Sequence, residues 1–370
     1  MVRWATNDDR EQIRALWDLR FGDPPRYMDW FFTQRFAPDY TSVSCEGDQL
    51  ITSIQSFPLN MRIRGKILPC AIIAGVSTAP EFEGQGHMGR TMRFYMTGIA
   101  ARGPVMIPYT PVDFAVYQSF GHYPVTRTAF AAIEHPALLA AGGTAVDADL
   151  RRDECALFAC YARNSARYSG VIARSLPDLR LKFADYAADD ARCAAVTSGG
   201  DVSGYCVYSI GDDEVYGEEF MADDRAAAEK LVCALCMIAR DAGLPLGIKL
   251  PPDFNLALGG METDLRPQGA MGCADVRAML QHVCGVREYS IEVSDPVVAA
   301  NNATLDLAGR PAGIKPQIKI TAGHLTQLVC GYATLTDLEG DGGAVILDRT
   351  AAGEIGAIFP RQECFIVDEY

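Results

Sequence analysis

Residues 74–92 read AGVSTAPEFEGQGHMGRTM. An apolar strand ends, Pro80 stops further pairing, and Gly84, Gly86 and Gly89 open onto a helix. Glycines let several backbone N–H groups converge on one centre, and a helix N-terminus adds partial positive charge, so the pattern is that of an anion cradle. A pyrophosphate is the natural guest. The preceding strand offers backbone groups to an extended, amide-containing ligand. Two other phosphate loops compare with it. Gly84 to Thr91 reads GQGHMGRT, a near miss to GxxxxGK[ST] in which Arg90 replaces the lysine. Gly84 to Gly89 spells GxGxxG, but it follows turn-linked, antiparallel-type strands rather than the first strand of a βαβ unit.

Outward from this stretch the chain alternates helix and strand signals. DREQIRALWDLR (9–20) has Ile13, Leu16 and Trp17 at helical spacing, and Gly22 and Pro24-Pro25 end it. RYMDWFFTQRF (26–36) is a second helix. Residues 42–80 read as three or four strands with turns at EGD and RGK; the last, ILPCAIIAGVSTA, has the continuous apolar run of a strand buried on both faces. After the glycines, Met88, Met92, Met96 and Ile99 share a helical face, with Gly103 as the stop. PVMIPY (104–109) is a strand, and DFAVYQSFGHYP (113–124) a short helix closed by Gly121 and Pro124.

AAGGTAVDAD (140–149) reads as a linker or edge, and the theme then repeats. A helix over 151–170 precedes three antiparallel strands (194–220), a long helix (225–243) and a strand (244–250), with ADDRAAAEK where the glycine turn would be. This reads as a degenerate copy that binds no phosphate. From about 275 a helix, VRAMLQHV, leads into alternating strands over 287–309 and a strand–turn–helix over 317–332. The terminal FIVDEY is apolar at Phe365, Ile366 and Val367, as a docked strand would be.

Composition sets the class. The 370 residues are 49% hydrophobic and 22% charged, a globular balance that excludes disorder as the main state. A net charge of -14 argues against a nucleic-acid binder and suits attraction of cationic small molecules. No apolar run is long enough to span a bilayer, and the N-terminus lacks a signal-type apolar region, so a cytoplasmic protein is expected. The twelve cysteines read as reduced, mostly buried thiols; Cys233 and Cys236 form a lone CxxC inside a helical pattern, and no metal site is expected. His87 and His122 are expected to be exposed turn residues, and Asp39, Glu81, Glu83 and Asp113 could form an acidic rim.

The 74–92 block resembles motif A of the GNAT acetyltransferases. More narrowly, residues 56–92, the motif VYQSFGHYPVT (116–126) and GHLTQLVCGY (323–332) resemble the Eis (enhanced intracellular survival) family. The resemblance implies an α+β (α/β) fold: tandem GNAT domains of mixed, mostly antiparallel sheet flanked by helices, then a sterol-carrier-protein-like domain. It implies an active GNAT domain over 1–132, a degenerate one over 133–274 and the sterol-carrier-like part over 275–370. It implies acetyl-CoA as co-substrate, with Val76, Ser77 and Thr78 on the pantetheine arm, and Gly84, Gln85, Gly86, His87, Met88 and Gly89 around the pyrophosphate. Val112 and Asp113 would lie near the thiol end, Tyr117 would be the general acid, and the α-carboxylate of Tyr370 the general base. Glu83 stands where the family usually has Arg and Met88 where Gly or Ala is common, while Arg90 restores positive charge.

The function expected is direct acetyl transfer to an amine of a cationic small molecule or a lysine, aminoglycosides and other polycationic amines being among the acceptors the resemblance suggests. The alternative is a catalytically weak or inactive protein that binds CoA or an apolar ligand; a third reading is a preference for longer acyl donors. The resemblance also suggests a homo-oligomer.

Overall fold

The apolar stretch before the glycines forms the longest hairpin of the molecule. Its strands are β3 (Gln49–Ile63) and β4 (Lys66–Thr78), turned at Arg64-Gly65 with both residues at positive φ. β1 (Val2–Trp4) and β2 (Ser42–Glu46) extend the sheet on one side; α1 (Arg10–Phe21) and α2 (Pro25–Gln34) lie between them in sequence. On the other side β4 pairs in parallel with β5 (Met106–Tyr109), reached through α3 (His87–Ile99). After α4 (Ala115–Gln118) comes the two-residue β6 (Tyr123–Pro124). The computed structural model describes residues 1–136, 146–254, 256 and 261–370.

The chain then runs through β7 (Arg127–Ile133), β8 (Val146–Ala148), α5 (Glu154–Ser165), β9 (Val171–Ile172) and α6 (Leu176–Ala188). β10 (Arg192–Ser198), β11 (Asp201–Ile210) and β12 (Val215–Ala222) form the antiparallel set read from sequence, followed by α7 (Arg225–Ala242), β13 (Leu246–Leu250) and β14 (Glu262–Pro267). The last part comprises β15 (Ala270–Cys273), α8 (Val276–Val283), β16 (Ser290–Ser294), β17 (Ala303–Asp306), β18 (Ile318–Thr321), α9 (Ala322–Cys330), α10 (Leu335–Gly340), β19 (Ala344–Ile346) and α11 (Arg349–Ile358).

Two compact units result. The first comprises residues 1–126, 268–364 and 368–370; the second comprises 127–267 and 365–367. The first unit contains the strand order β1-β2-β3-β4-β5-β15-β6 and a separate sheet β17-β16-β18-β19. The second is built on β14-β7-β13-β12-β11-β10-β8. Along each of these strand orders the neighbours are antiparallel except for one parallel pair: β4–β5, β12–β13 and β16–β18 respectively. The fold is therefore the mixed, mostly antiparallel α+β class that the sequence implies.

The expected linker at 140–149 lies partly outside the described residues; its end, β8, is an edge strand pairing with β10. The helix expected to begin after the glycines starts at His87 itself, with Met92, Met96 and Ile99 buried against the sheet. The terminal FIV differs from expectation. Phe365, Ile366 and Val367 are buried, but they form no strand. Phe365 and Val367 instead insert side chains into the second unit's core beside Tyr168 and Leu179, with one backbone bond from Phe365 N–H to the Ser169 carbonyl at 3.0 Å. β15 was not foreseen: residue 270 onward enters the first sheet beside β5.

Candidate functional site

β4 carries the site. Opposite β3, Gln55 faces Gly75 and Ser56 faces Ile73, so Ala74 is an extra residue, a bulge that re-aims the strand locally. β4 pairs with β5 at Cys70–Met106 and continues to Thr78, so its later residues pass the end of that parallel pairing. Alternation then sorts the side chains. Val76 and Thr78 face a cavity of about 680 Å³, while Ser77 points the other way and is buried. A volume of this size suits a drug-sized ligand.

The opposite wall is the glycine loop. Gly84 (φ +71°) and Gly86 (φ +76°) are left-handed, a conformation costly for any residue with a Cβ. Gly86 is the N-cap of α3 and no side chain caps the helix, which leaves first-turn N–H groups free of intrahelical partners. Gly84, Gly86, His87, Met88 and Gly89 line the cavity. Gln85 is exposed, and its amide donates to the Glu81 carbonyl at 3.0 Å. His87 is buried and meets Phe82 edge-on at 5.6 Å, against the expectation of an exposed turn histidine; as the first helical residue it points back into the cradle wall. Arg90 does not face the cavity either: its guanidinium donates to the Gln85 carbonyl at 3.1 Å and braces the loop. Arg20 takes its place in the wall, paired with Glu83 at 2.6 Å.

Tyr117 and Val116 close the cavity from α4. Tyr117 is half-buried, and burial raises its phenol above the ordinary tyrosine value, so the hydroxyl keeps its proton at neutral pH. Its ring meets Tyr109 edge-on at 4.9 Å. The Tyr109 hydroxyl is 2.8 Å from His122 Nδ1. His122 was expected at the surface, but it is fully buried in a space that Gly272 leaves open: a Cβ there would lie 2.0 Å from Nε2. Burial pushes its pKa down to about 3, so it is neutral and not a base for exposed substrate. Val112 is fully exposed and Asp113 caps the Ala115 N–H at 2.8 Å; both stand in the loop before α4, outside the cavity lining.

Tyr370 lies elsewhere along the same strand. Asp368, Glu369 and Tyr370 share a smaller cavity of about 160 Å³ with Ile73, Ala74 and Thr110. Ala74 and Val76 are roughly 7 Å apart at strand spacing, so the two cavities are consecutive along β4. The tail is held. The Tyr370 ring meets Phe57 edge-on at 4.9 Å, the Arg35 guanidinium lies over both rings, and Arg35 donates to the Tyr370 hydroxyl at 3.3 Å. The Gln268 amide donates to the Glu369 carboxylate.

The long helix of the second unit begins differently. Asp224 caps α7, its carboxylate accepting from the Ala227 N–H at 2.8 Å, where α3 has only Gly86. In β12, Glu219 is wholly buried. Burial opposes its charge, but the bidentate Arg174 guanidinium (2.8 and 2.9 Å) with the Tyr205 and Tyr186 hydroxyls lowers its pKa overall. Among the described residues no group of histidine, cysteine and acidic side chains could hold a metal ion, Cys233 and Cys236 included, and no helix is long and apolar enough to cross a membrane.

Sequence reasoning missed Arg20, Phe82 and Val116 in the cavity wall. For Arg20 a signal existed: it lies three residues after Trp17, hence on the same helical face.

Residues 1–125 match the family model described as acetyltransferase (GNAT) domain, and residues 276–366 match the sterol carrier protein domain. The chain thus carries an acetyltransferase (GNAT) domain over residues 1–125 and a sterol carrier protein domain over residues 276–366. More narrowly, its architecture is Eis-like. It is similar along its whole length to Eis1 from Mycobacterium abscessus (19% identity, 100% of both chains, TM-score 0.78). It is also similar in fold to a probable N-acyltransferase from Enterococcus faecalis V583 (16% identity, 100% of this chain and 99% of that one, TM-score 0.84). A GCN5-related N-acetyltransferase from Anabaena variabilis shares the fold too (14% identity, 100% of both chains, TM-score 0.81). No curated protein matches by sequence.

Proposed function

We propose that the protein is an acetyl-CoA-dependent N-acetyltransferase that transfers the acetyl group directly to an amine of a cationic small molecule or a lysine. One observation carries the reading: a half-buried, protonated Tyr117 shares a cavity with the uncapped start of α3 and the end of β4. The residues suit acetyl-CoA as substrate. The left-handed glycines and free N–H groups of the cradle fit a pyrophosphate, and the backbone of Val76, Ser77 and Thr78 fits the amide-bearing arm. Val112 and Asp113 would border the thiol end from the loop before α4.

As the amine attacks the thioester carbonyl, a C–N bond forms and the C–S bond breaks. The Tyr117 hydroxyl gives its proton to the departing sulfur; with a phenol above about 10 and a thiol near about 8.5 the transfer is modestly uphill, a mismatch small enough for a general acid. An α-carboxylate, ordinarily near about 3.5, is a weak direct base for an ammonium. The Tyr370 carboxylate therefore orients the cationic acceptor and receives its proton through water. No covalent acetyl-enzyme is required, so no cysteine need be a nucleophile. The net charge of -14 favours the approach of polycations. In this reading residues 1–132 form the active domain, 133–274 the degenerate copy and 275–370 the sterol-carrier-like domain, in a cytoplasmic protein.

The test is calorimetric titration with acetyl-CoA and CoA, followed by acetylation assays with polycationic amines, aminoglycosides among them, and lysine peptides. Micromolar binding and turnover that is lost in Tyr117→Phe support the reading. Absence of binding at millimolar acetyl-CoA overturns it and leaves the non-catalytic alternative.

A further inference from the structure

We propose that Arg20 is the side chain that meets the diphosphate of the acyl donor, and that Glu83, paired with it in the cavity wall, yields it on binding. This rests on the reading of the cavity as an acyl-CoA site.

Arg20 Nη2 lies 2.6 Å from Glu83 Oε1, and the two side chains are 34% and 52% exposed. A pair this open to water is weakly held and can exchange partners. Both residues line the cavity, and Glu83 directly precedes Gly84 of the cradle. A free carboxylate there would repel a diphosphate; paired with Arg20, it does not. The neighbouring cation, Arg90, is already engaged with the Gln85 carbonyl, so Arg20 is the guanidinium in the cavity wall among the described residues.

Its position is built into the fold. Trp17, one turn earlier on α1, lies against Gly75 so closely that a Cβ on Gly75 would be 2.5 Å from the indole, and the Trp17 Nε1–H donates to Asp23 at 2.6 Å. The helix is thus fixed on β4, and Arg20 is carried to the strand end where Val76 and Thr78 face the cavity. A guanidinium can give a phosphate two parallel hydrogen bonds, as it can a carboxylate, so exchange costs it no geometry. Glu83, left behind, turns to solvent.

The test is CoA affinity by calorimetry for the wild type, Arg20→Ala, Glu83→Gln and the double variant, each at low and high salt. Arg20→Ala should weaken CoA binding about tenfold and flatten its salt dependence. Glu83→Gln should tighten binding about threefold when Arg20 is present and less when it is absent. A wild type that binds CoA with Arg20→Ala unchanged, or weakened with the same salt dependence, overturns the role of Arg20 alone. A wild type that does not bind CoA overturns the acyl-donor reading itself, and this inference with it. Both residues are at the surface, and unchanged thermal unfolding of the variants confirms that affinity reports binding rather than folding.

Discussion

Tyr117 and His122 sit five residues apart and have opposite fates. Tyr117 borders the cavity with its phenol pushed up by burial; His122 is enclosed behind it with its imidazole pushed down to about 3. For Tyr117 the consequence is kinetic. Tyr117→Phe should lower kcat by about 10²–10³ while leaving KM for acetyl-CoA nearly unchanged, measured by steady-state acetylation. The rate should also fall at high pH, as the phenol loses the proton it donates, and that limb should vanish in Tyr117→Phe. For His122 the consequence is stability. Its folded pKa lies below the unfolded value near 6.5, so between pH 6.5 and about 3 the unfolded chain binds the extra proton. Stability from this group is complete above pH 6.5 and drains away as pH falls, by on the order of 5 kcal/mol at the lower limit. Chemical denaturation at pH 7 and pH 4.5 should show this loss, and His122→Gln should remove it. That histidine looked like a surface turn residue in FGHYP because nothing local to it announces Gly272, whose missing side chain makes its pocket.

At the scale of elements, the cradle depends on backbone that only glycine adopts readily. Gly86→Ala places a Cβ at φ +76° and 3.3 Å from the flexible Arg90 guanidinium. It should cost about 1 kcal/mol of stability yet weaken acetyl-CoA binding about tenfold or more by turning N–H groups out of line, which thermal shift and calorimetry separate. Gly75→Ala acts differently. Its Cβ would meet the rigid Trp17 indole at 2.5 Å, so it should destabilise by about 1–3 kcal/mol and loosen α1. The strand–Pro–glycine–helix order was legible in residues 74–92 because each signal is local. The bulge at Ala74 was not, because it exists only in the register with Gln55 and Ser56.

At the scale of the whole molecule, the last six residues serve both units. Phe365 and Val367 belong to the core of the second, and Asp368, Glu369 and Tyr370 return to the first. Two truncations should therefore separate. Removing residues 365–370 takes two core side chains, Phe365 and Val367, out of the second unit and should destabilise by on the order of 4 kcal/mol, read by chemical denaturation. Deleting Tyr370 alone removes the aromatic contact to Phe57, a loss of about 1 kcal/mol, but shifts the terminal carboxylate from its place. It should lower turnover about a hundredfold with the fold retained.

The sequence by itself determined most helices and strands of the first 125 residues, their stops at Gly22, Gly103 and Gly121, the glycine turn before α3 and its replacement by a capping Asp224 before α7, since periodicity, glycine freedom and capping act within a few residues. Tertiary structure alone decided that the chain's last residue lies beside Ala74, that Arg20 faces Glu83, that His122 is enclosed, and that residue 270 begins a strand next to β5. Each of these joins residues far apart along the chain, and such contacts are selected by the packing of the closed fold rather than by any pattern in the neighbouring sequence.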